Sequence, residues 1–404
     1  MRCRAACYNF IILKPAGIYI HIPFCRSRCS YCDFATGMYS ESRAERYVSA
    51  VAREINSWRE MSDEATPNQL ERDLIHSEIA VDTIYFGGGT PSLLTPEQLE
   101  TLLSAVRGRF NVVSGVEITM EMNPGTVTPE TLFGFRELGV NRASFGAQTF
   151  DDAELARLGR SHTSADTRRT FSQLRAAGFD NVSVDLIAGL PGQSLEGWKR
   201  NLDEAFGMRP EHLSFYLLEV HQGTPLADHI SRGIQSTPDE DLATEMYEVM
   251  LDRAGEAGYA HYEISNLSLP GWESRHNTKY WTGAPYFGFG CSAHSYDGRF
   301  RRWANERGID EYIQLIEGGS KAVVNEQKLS AEERRAEAVF LGLRMMQGFS
   351  LSNYQRLYGR DLSAEHQDDL ARFREAGLIE YKGDLLKLTR AGALLSNEVF
   401  AAFV

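Results

Sequence analysis

The stretch YIHIPFCRSRCSYCDFATG, Tyr19 to Gly37, decides how the chain is read. It opens as a short apolar strand and runs straight into a loop carrying Cys25, Cys29 and Cys32, a C-x3-C-x2-C spacing. Three thiolates on one short loop can ligate three irons of a [4Fe–4S] cluster and leave the fourth iron open, whereas electron-transfer clusters usually have four cysteines. The competing use of the same loop is zinc, with His21 completing a tetrahedral set. Zinc sites more often use paired C-x2-C hooks, and a loop at a strand's C-terminal end favours chemistry, so the cluster is the expected group. The remaining cysteines, Cys3, Cys7 and Cys291, are too unevenly spaced for a disulfide framework, which points to a reducing, cytoplasmic compartment. Cys291 reads as a small buried apolar residue.

Working outward, strand and helix patterns alternate from about residue 17 to 260. Strand candidates are Gly17–Ile22, Val81–Phe86, Val116–Met122, Val140–Phe145, Val182–Ile187 and His212–Leu218. Helical periodicity marks Arg43–Arg59, Pro96–Arg109, Ala165–Ala177, Leu195–Phe206 and Glu240–Ala257. Thr95-Pro96-Glu97 and Thr128-Pro129-Glu130 put a hydroxyl at the N-cap and proline at the first helical position, and Gly178 supplies a C-terminal stop. This alternation predicts a parallel sheet with right-handed crossovers, an open α/β barrel of six β/α units, two short of closure. Its functional loops should follow the C-terminal strand ends.

Polar groups recur at those ends. Phe86-Gly87-Gly88-Gly89-Thr90-Pro91 follows the second strand, and glycines there let the backbone approach a ligand closely. Glu121, in MEMNP, follows the third strand; Gln148, in FGAQTF, the fourth; Asp185 lies on the fifth, and Arg160, in LGRSHT, falls between. Such groups are expensive to bury without a ligand or a partner. A salt-bridged structural role for Arg160 and Asp185 is the alternative.

The rest of the chain is organised differently. Residues 1–16 read as an N-terminal extension, since their apolar piece is too short for a secretory signal. Residues 17–260 form the barrel, 261–329 an aromatic, glycine-rich connecting region, and 330–404 a helical, winged-helix-like unit whose hairpin turns at Lys382-Gly383-Asp384. Winged helices often bind DNA, but this unit carries ten basic against eleven acidic residues. The whole chain of 404 residues has 42 Lys+Arg against 55 Asp+Glu, net −13, so no nucleic-acid partner is expected. No apolar run approaches the roughly 18–20 residues of a membrane span, and a hydrophobic share of 43% fits an ordinary soluble protein.

The motifs together resemble the radical S-adenosylmethionine (SAM) superfamily, and within it the oxygen-independent coproporphyrinogen III oxidase-like family with its heme-chaperone branch. The resemblance runs from about Gly17 to the C-terminus through IHIPFC, GGGTPS, EMNPG, SFGAQTF, LGRSHT and DLIAGLPGQ. It implies that SAM chelates the open iron, with reductive cleavage to a 5′-deoxyadenosyl radical or a non-radical role. It implies SAM contacts from Tyr19, Tyr31, Gly88, Gly89, Thr90, Glu121, Gln148, Arg160 and Asp185. The dehydrogenases of the family carry a fourth cysteine where this chain has Phe34, and a longer N-terminal extension; both differences point to the chaperone branch, with heme as cargo. The alternative is oxidative decarboxylation of coproporphyrinogen III. A third feature is His276-Asn277-Thr278-Lys279-Tyr280-Trp281, which matches the chaperone branch's HNxxYW motif. An imidazole can ligate heme iron, and Tyr280 and Trp281 offer flat faces. The plainer reading is a hydrogen-bonded histidine in a packed loop, with His261 and His294 as other candidate ligands. The implied partners are hemoprotein acceptors, membrane respiratory enzymes among them.

Overall fold

A computed structural model describes residues 14–58 and 79–404. Most of the expected N-terminal extension, with Cys3 and Cys7, and Arg59 at the end of the first expected helix lie outside the described residues. Six strands run parallel, each beside the next in chain order: β1 (Ala16–Ile22), β2 (Ala80–Gly88), β3 (Asn111–Met122), β4 (Arg142–Gln148), β5 (Val182–Ala188) and β6 (His212–Leu217). Helices α1 (Glu41–Ser57), α2 (Pro96–Arg109), α3 (Pro129–Glu137), α4 (Ser164–Ala176) and α5 (Leu195–Met208) alternate with them, and α6 (Glu240–Glu256) follows β6. The expected caps form: the Thr95 and Thr128 side chains accept from Gln98 and Thr131 N–H, and Gly178 turns the chain at φ +83°.

The strands are long enough to alternate faces, and each face has its own chemistry. Ile20 pairs with Phe86, Phe86 with Met120, Met120 with Ala143 and Ala143 with Val182, and all five are buried in the main apolar core. The opposite face is polar. Tyr19 pairs with Tyr85, Tyr85 with Thr119 and Thr119 with Arg142; Glu121 pairs with Ser144, Ser144 with Ser183 and Ser183 with His212. A closed eight-stranded barrel fills its interior mainly with branched aliphatics, so this polar lining sets the open barrel apart.

Six further strands extend the sheet, so the connecting region is not the loose stretch its sequence suggests. β7 (Ala260–Glu263) and β8 (Asn266–Ser268) form a hairpin, and β8 runs antiparallel to β6. β9 (Tyr286–Phe289) lies parallel to β1, and β10 (His294–Tyr296), β11 (Arg301–Asn305) and β12 (Val323–Lys328) add antiparallel strands beyond it. The twelve-stranded order is β12-β11-β10-β9-β1-β2-β3-β4-β5-β6-β8-β7, and the sheet stays open. Two helices lie in this region, α7 (Arg275–Trp281) and α8 (Ile309–Glu317).

From α9 (Ala331–Leu343) onward the chain builds a second apolar cluster around Leu343, Phe373, Leu386 and Phe400. Its three short strands, β13 (Phe349–Ser350), β14 (Ile379–Lys382) and β15 (Leu385–Leu388), pair antiparallel in the order β13-β15-β14. The expected hairpin turns at Gly383, φ +61°. No helix among the described residues is long and apolar enough to cross a membrane.

Candidate functional site

The cysteine loop is closed at its base, where Phe24–Cys25 pairs with Gly37–Met38, and Gly37 N–H donates to Pro23 O at 2.7 Å. Farther along, Ser30 N–H donates to Leu158 O and Leu226 N–H to Ser30 O, so two neighbouring segments pin its middle. Cys25, Cys29 and Cys32 all line one cavity of about 510 Å³ above the strand ends. Burial pushes the Cys25 and Cys32 thiols up, and the Thr90 hydroxyl, 3.6 Å from Cys25 Sγ, pulls Cys25 part of the way back.

Seven of the nine residues expected to contact SAM line the same cavity: Tyr31, Gly88, Gly89, Glu121, Gln148, Arg160 and Asp185. Thr90 lies behind Cys25. Tyr19 lies a layer deeper, its ring over Tyr85 at 6.1 Å and its hydroxyl 3.1 Å from His21 Nδ1. Glu121 accepts from the Tyr85 hydroxyl at 2.7 Å and from Gly88 N–H at 3.0 Å, and burial still pushes it up to about 7. Arg160 donates to Gly146 O and Asn123 Oδ1, reaches Cys29 Sγ at 3.5 Å, and keeps a buried Nε without a partner. Asp185 is raised by burial and is held by serine hydroxyls, not by a salt bridge. Among the described residues neither Arg160 nor Asp185 forms the salt bridge of the alternative reading.

The glycines are required by close approach. A Cβ at Gly88 would lie 2.6 Å from the His21 ring, and one at Gly89 would lie 2.8 Å from Phe24 O and 3.0 Å from Cys25 Sγ. Gln148, with φ 65°, holds a left-handed conformation that favours glycine, a local strain of the kind that collects at functional sites. His21, the fourth ligand a zinc reading needs, is turned to Tyr19 and to Ala35 O. Among the described residues no three His, Cys, Asp or Glu side chains gather tightly enough for a single metal ion. Three thiols on one cavity wall, a buried arginine with an unmet donor and two carboxylates fit a larger group: an iron–sulfur cluster with a zwitterionic ligand beside it.

Sequence reasoning passed over three residues here. Asn123 bridges Thr90 and Arg160, with Thr90 Oγ1 accepting at 2.7 Å. Its signal was the one that marked Glu121, a polar side chain just past a strand end. Arg142 is buried on the polar face of β4, with Nε unpartnered; its charge pulls Glu121 and Asp185 down and pushes His212 and His276 down as well. Arg344, from the segment after α9, lines the cavity although no motif marks it.

The segment 275–281 meets its expectation differently. It forms α7, whose N-terminal N–H groups at Arg275 and His276 donate to Glu117. His276 is buried, with Nδ1 2.8 Å from Thr83 Oγ1 and Nε2 2.9 Å from the Tyr280 hydroxyl, and its ring stacks on Tyr85 at 5.0 Å. Burial and the nearby Lys279 and Arg142 charges push the imidazole down to about 3. Lys279 and Arg275 both pair with Asp82. The imidazole is thus a packed, doubly bonded group rather than a presented iron ligand, and Tyr280 is spent on holding it. Trp281 faces elsewhere, with the Arg344 guanidinium 4.2 Å from its ring.

Residues 19–205 match the radical SAM superfamily, and residues 329–395 match the HemN C-terminal domain. The chain is 36% identical over 387 residues to the heme chaperone HemW of Bacillus subtilis, covering 96% of this chain and 98% of that one. It is 35% identical over 391 residues to the heme chaperone HemW of Mycobacterium tuberculosis, covering 96% and 94%. Among solved structures, the coproporphyrinogen III oxidase HemN of Escherichia coli, described as a radical SAM enzyme, superimposes with a TM-score of 0.80 over 97% of this chain and 90% of that one. At 21% identity that likeness is one of fold.

Proposed function

The chain belongs to the HemW family of heme chaperones within the radical SAM superfamily, and from that membership we propose that it binds heme and passes it to hemoprotein acceptors. The observation that carries the reading is likeness along nearly the full length of relatives named for that activity. In this reading Cys25, Cys29 and Cys32 hold a [4Fe–4S] cluster, and SAM lies against Gly88, Gly89, Glu121, Gln148, Arg160 and Asp185, with Tyr31 beside the cysteines. When bound, such a cluster supplies an open iron for the amino and carboxylate groups of SAM and a source of single electrons. The chain's own part is positioning. Glu121, fixed by Tyr85 and Gly88, offers an acceptor; Arg160 sets a cation beside the thiolates; Asn123 keeps Arg160 and Thr90 in register.

Phe34 supports the chaperone reading over the dehydrogenase one. It lines the cavity, 64% exposed, and offers no thiol. Free thiols at the site suit a cytoplasmic location. Membrane respiratory enzymes are the acceptors this reading favours. Residues 17–260, 261–329 and 330–404 act as barrel, connecting region and C-terminal unit. Of the heme residues expected from the sequence, Trp281 packs against a cavity-lining side chain, Arg344.

The test is anaerobic purification, followed by iron and sulfide analysis, heme titration and heme transfer to an apo-hemoprotein read by its Soret band. Stable heme binding, with transfer and no coproporphyrinogen consumption, is the expected result. Conversion of coproporphyrinogen III at rates near about 1–10³ per second would replace the chaperone with an enzyme.

A further inference from the structure

We propose that Arg344 recognises a carboxylate of the porphyrin cargo, which puts the cargo in the same cavity as the cysteine triad, with Trp281 beneath the guanidinium. The proposal rests on the heme-carrying reading above.

The first ground is location. Arg28, Arg160 and Arg344 are the arginines among the residues lining the cavity. Arg28 is exposed on the cysteine loop, and Arg160 is bonded to Gly146, Asn123 and Cys29. Arg344 comes from another part of the chain and enters beside Ser265 of the β7–β8 turn.

The second ground is rigidity. Ile264 N–H donates to Arg344 O and Met346 N–H to Tyr262 O, so the backbone on either side of the arginine is stitched to β7 and its turn. The guanidinium lies 4.2 Å from the Trp281 ring, and Nη2 donates to Glu263 Oε1 at 2.7 Å. An arginine fixed on an aromatic face presents its remaining donors at low entropic cost.

The third ground is what remains unmet. Among the described residues Glu263 is the only hydrogen-bond partner of the arginine's side chain, and Nε is buried without one. Trp281 Nε1 is also buried without a partner. Glu263 does not need more from the arginine, because it also accepts from Asn266 Nδ2 at 2.5 Å and Ser265 N–H at 3.3 Å. An unmet donor on an arginine that lines the cavity calls for an acceptor, and an arginine's planar fork matches a carboxylate. The same cavity has apolar walls at Ile187, Tyr216, Leu217 and Leu218. A flat apolar macrocycle bearing peripheral carboxylates uses both features.

The experiment uses the full-length, cluster-reconstituted protein and two probes, iron protoporphyrin IX and its dimethyl ester, with SAM titrated in parallel. The unaltered protein should bind the diacid about tenfold more tightly than the ester, equivalent to about 1.4 kcal/mol. Arg344→Ala should erase that preference by weakening the diacid alone. Because Arg344→Ala strips the cation from buried Glu263 and can cost the fold, Arg344→Lys is the second variant; it keeps the charge, loses the fork and should cut the preference to a few-fold. Equal affinity of the unaltered protein for diacid and ester overturns the Arg344 assignment while leaving heme carriage intact. A full preference retained by the folded Arg344→Lys and Arg344→Ala proteins overturns it too. Weakened SAM with unchanged porphyrin binding gives the arginine to SAM instead. Absence of binding for both probes in the unaltered protein takes down the heme reading itself.

Discussion

The strand-end cavity and helix α7 hold similar inventories: aromatic rings, histidine or cysteine, and cations within a few residues of one another. They treat them in opposite ways. In α7 both ring nitrogens of His276 have partners and both neighbouring cations are paired with Asp82, while Trp281, the last residue of the helix, keeps a buried N–H unmet and belongs with the cavity side of the contrast. In the cavity the thiols face a common space, Arg160 keeps a buried unmet donor and Glu121 is held toward neutrality by burial. Satisfied groups stabilise a fold, and unsatisfied ones await something. Residue type and spacing do not tell the two situations apart; the partner count does.

The contrast can be broken most sharply at Cys29. Cys29→Ser should bring iron and sulfide to background after anaerobic reconstitution, since a second iron loses its protein ligand. Full iron retention there would mean that the cavity is as structural as the helix.

His276→Ala should act on stability instead. Removing a buried ring leaves a void and strands the Thr83 and Tyr280 hydroxyls, a loss of about 3–5 kcal/mol in denaturant unfolding, with iron content per folded molecule unchanged. The pH dependence follows from the same burial. The imidazole sits near 3 in the fold and near 6.5 once unfolded, so the unfolded chain binds more protons between those values. Its contribution is therefore whole above about pH 6.5 and is lost progressively as pH falls toward 3. Wild-type stability with an altered Soret spectrum in His276→Ala would instead make α7 a ligand surface and erase the contrast.

A third cluster sharpens it with the opposite sign. Glu54 accepts from Gly290 N–H, Asn305 Nδ2 and the Tyr312 hydroxyl, yet burial raises it to about 7. Here the folded state holds the extra proton, so stability is lost as pH rises from about 4.5 through about 7, by about 3 kcal/mol. Glu54→Gln should flatten that slope in thermal melts taken across pH 4–8. The smallest effect belongs to Cys291, a buried thiol raised to about 12 and 3.5 Å from the Tyr47 hydroxyl. Cys291→Ser should cost about 1 kcal/mol or less and leave iron unchanged; lost iron would enlarge the ligand set.

Much of the barrel was legible because long parallel strands bounded by capped helices leave strong local signals. The fourth strand was placed two residues early, at Val140, because Val140 is apolar while the true first residue, Arg142, is a buried charge. That same misreading hid the polar interior: Thr83, Tyr85, Glu117, Thr119, Arg142, Ser144, Ser183, Asp185 and His212 alternate with apolar neighbours, a period-two pattern visible in sequence but masked by attention to the apolar half. The six added strands are mostly three to five residues long and aromatic- or glycine-rich, too short for any periodicity. Seven of nine SAM candidates reached the cavity because strand ends are positioned by the fold itself. Arg344 was invisible because its placement depends on contacts between segments about eighty residues apart, Glu263 and Met345 among them.

An open sheet has two rims, and each exposes backbone groups able to recruit a strand from another molecule. β12 meets this with Asn325, Glu326, Gln327 and Lys328, all exposed and polar. β7 has no such guard. Its rim is covered instead by residues 344–346, which pair with Tyr262 through Ile264. The C-terminal unit is therefore also a guard against self-association: a chain cut before Arg344 would carry an adhesive rim, and its failure would register first as turbidity rather than as lost affinity.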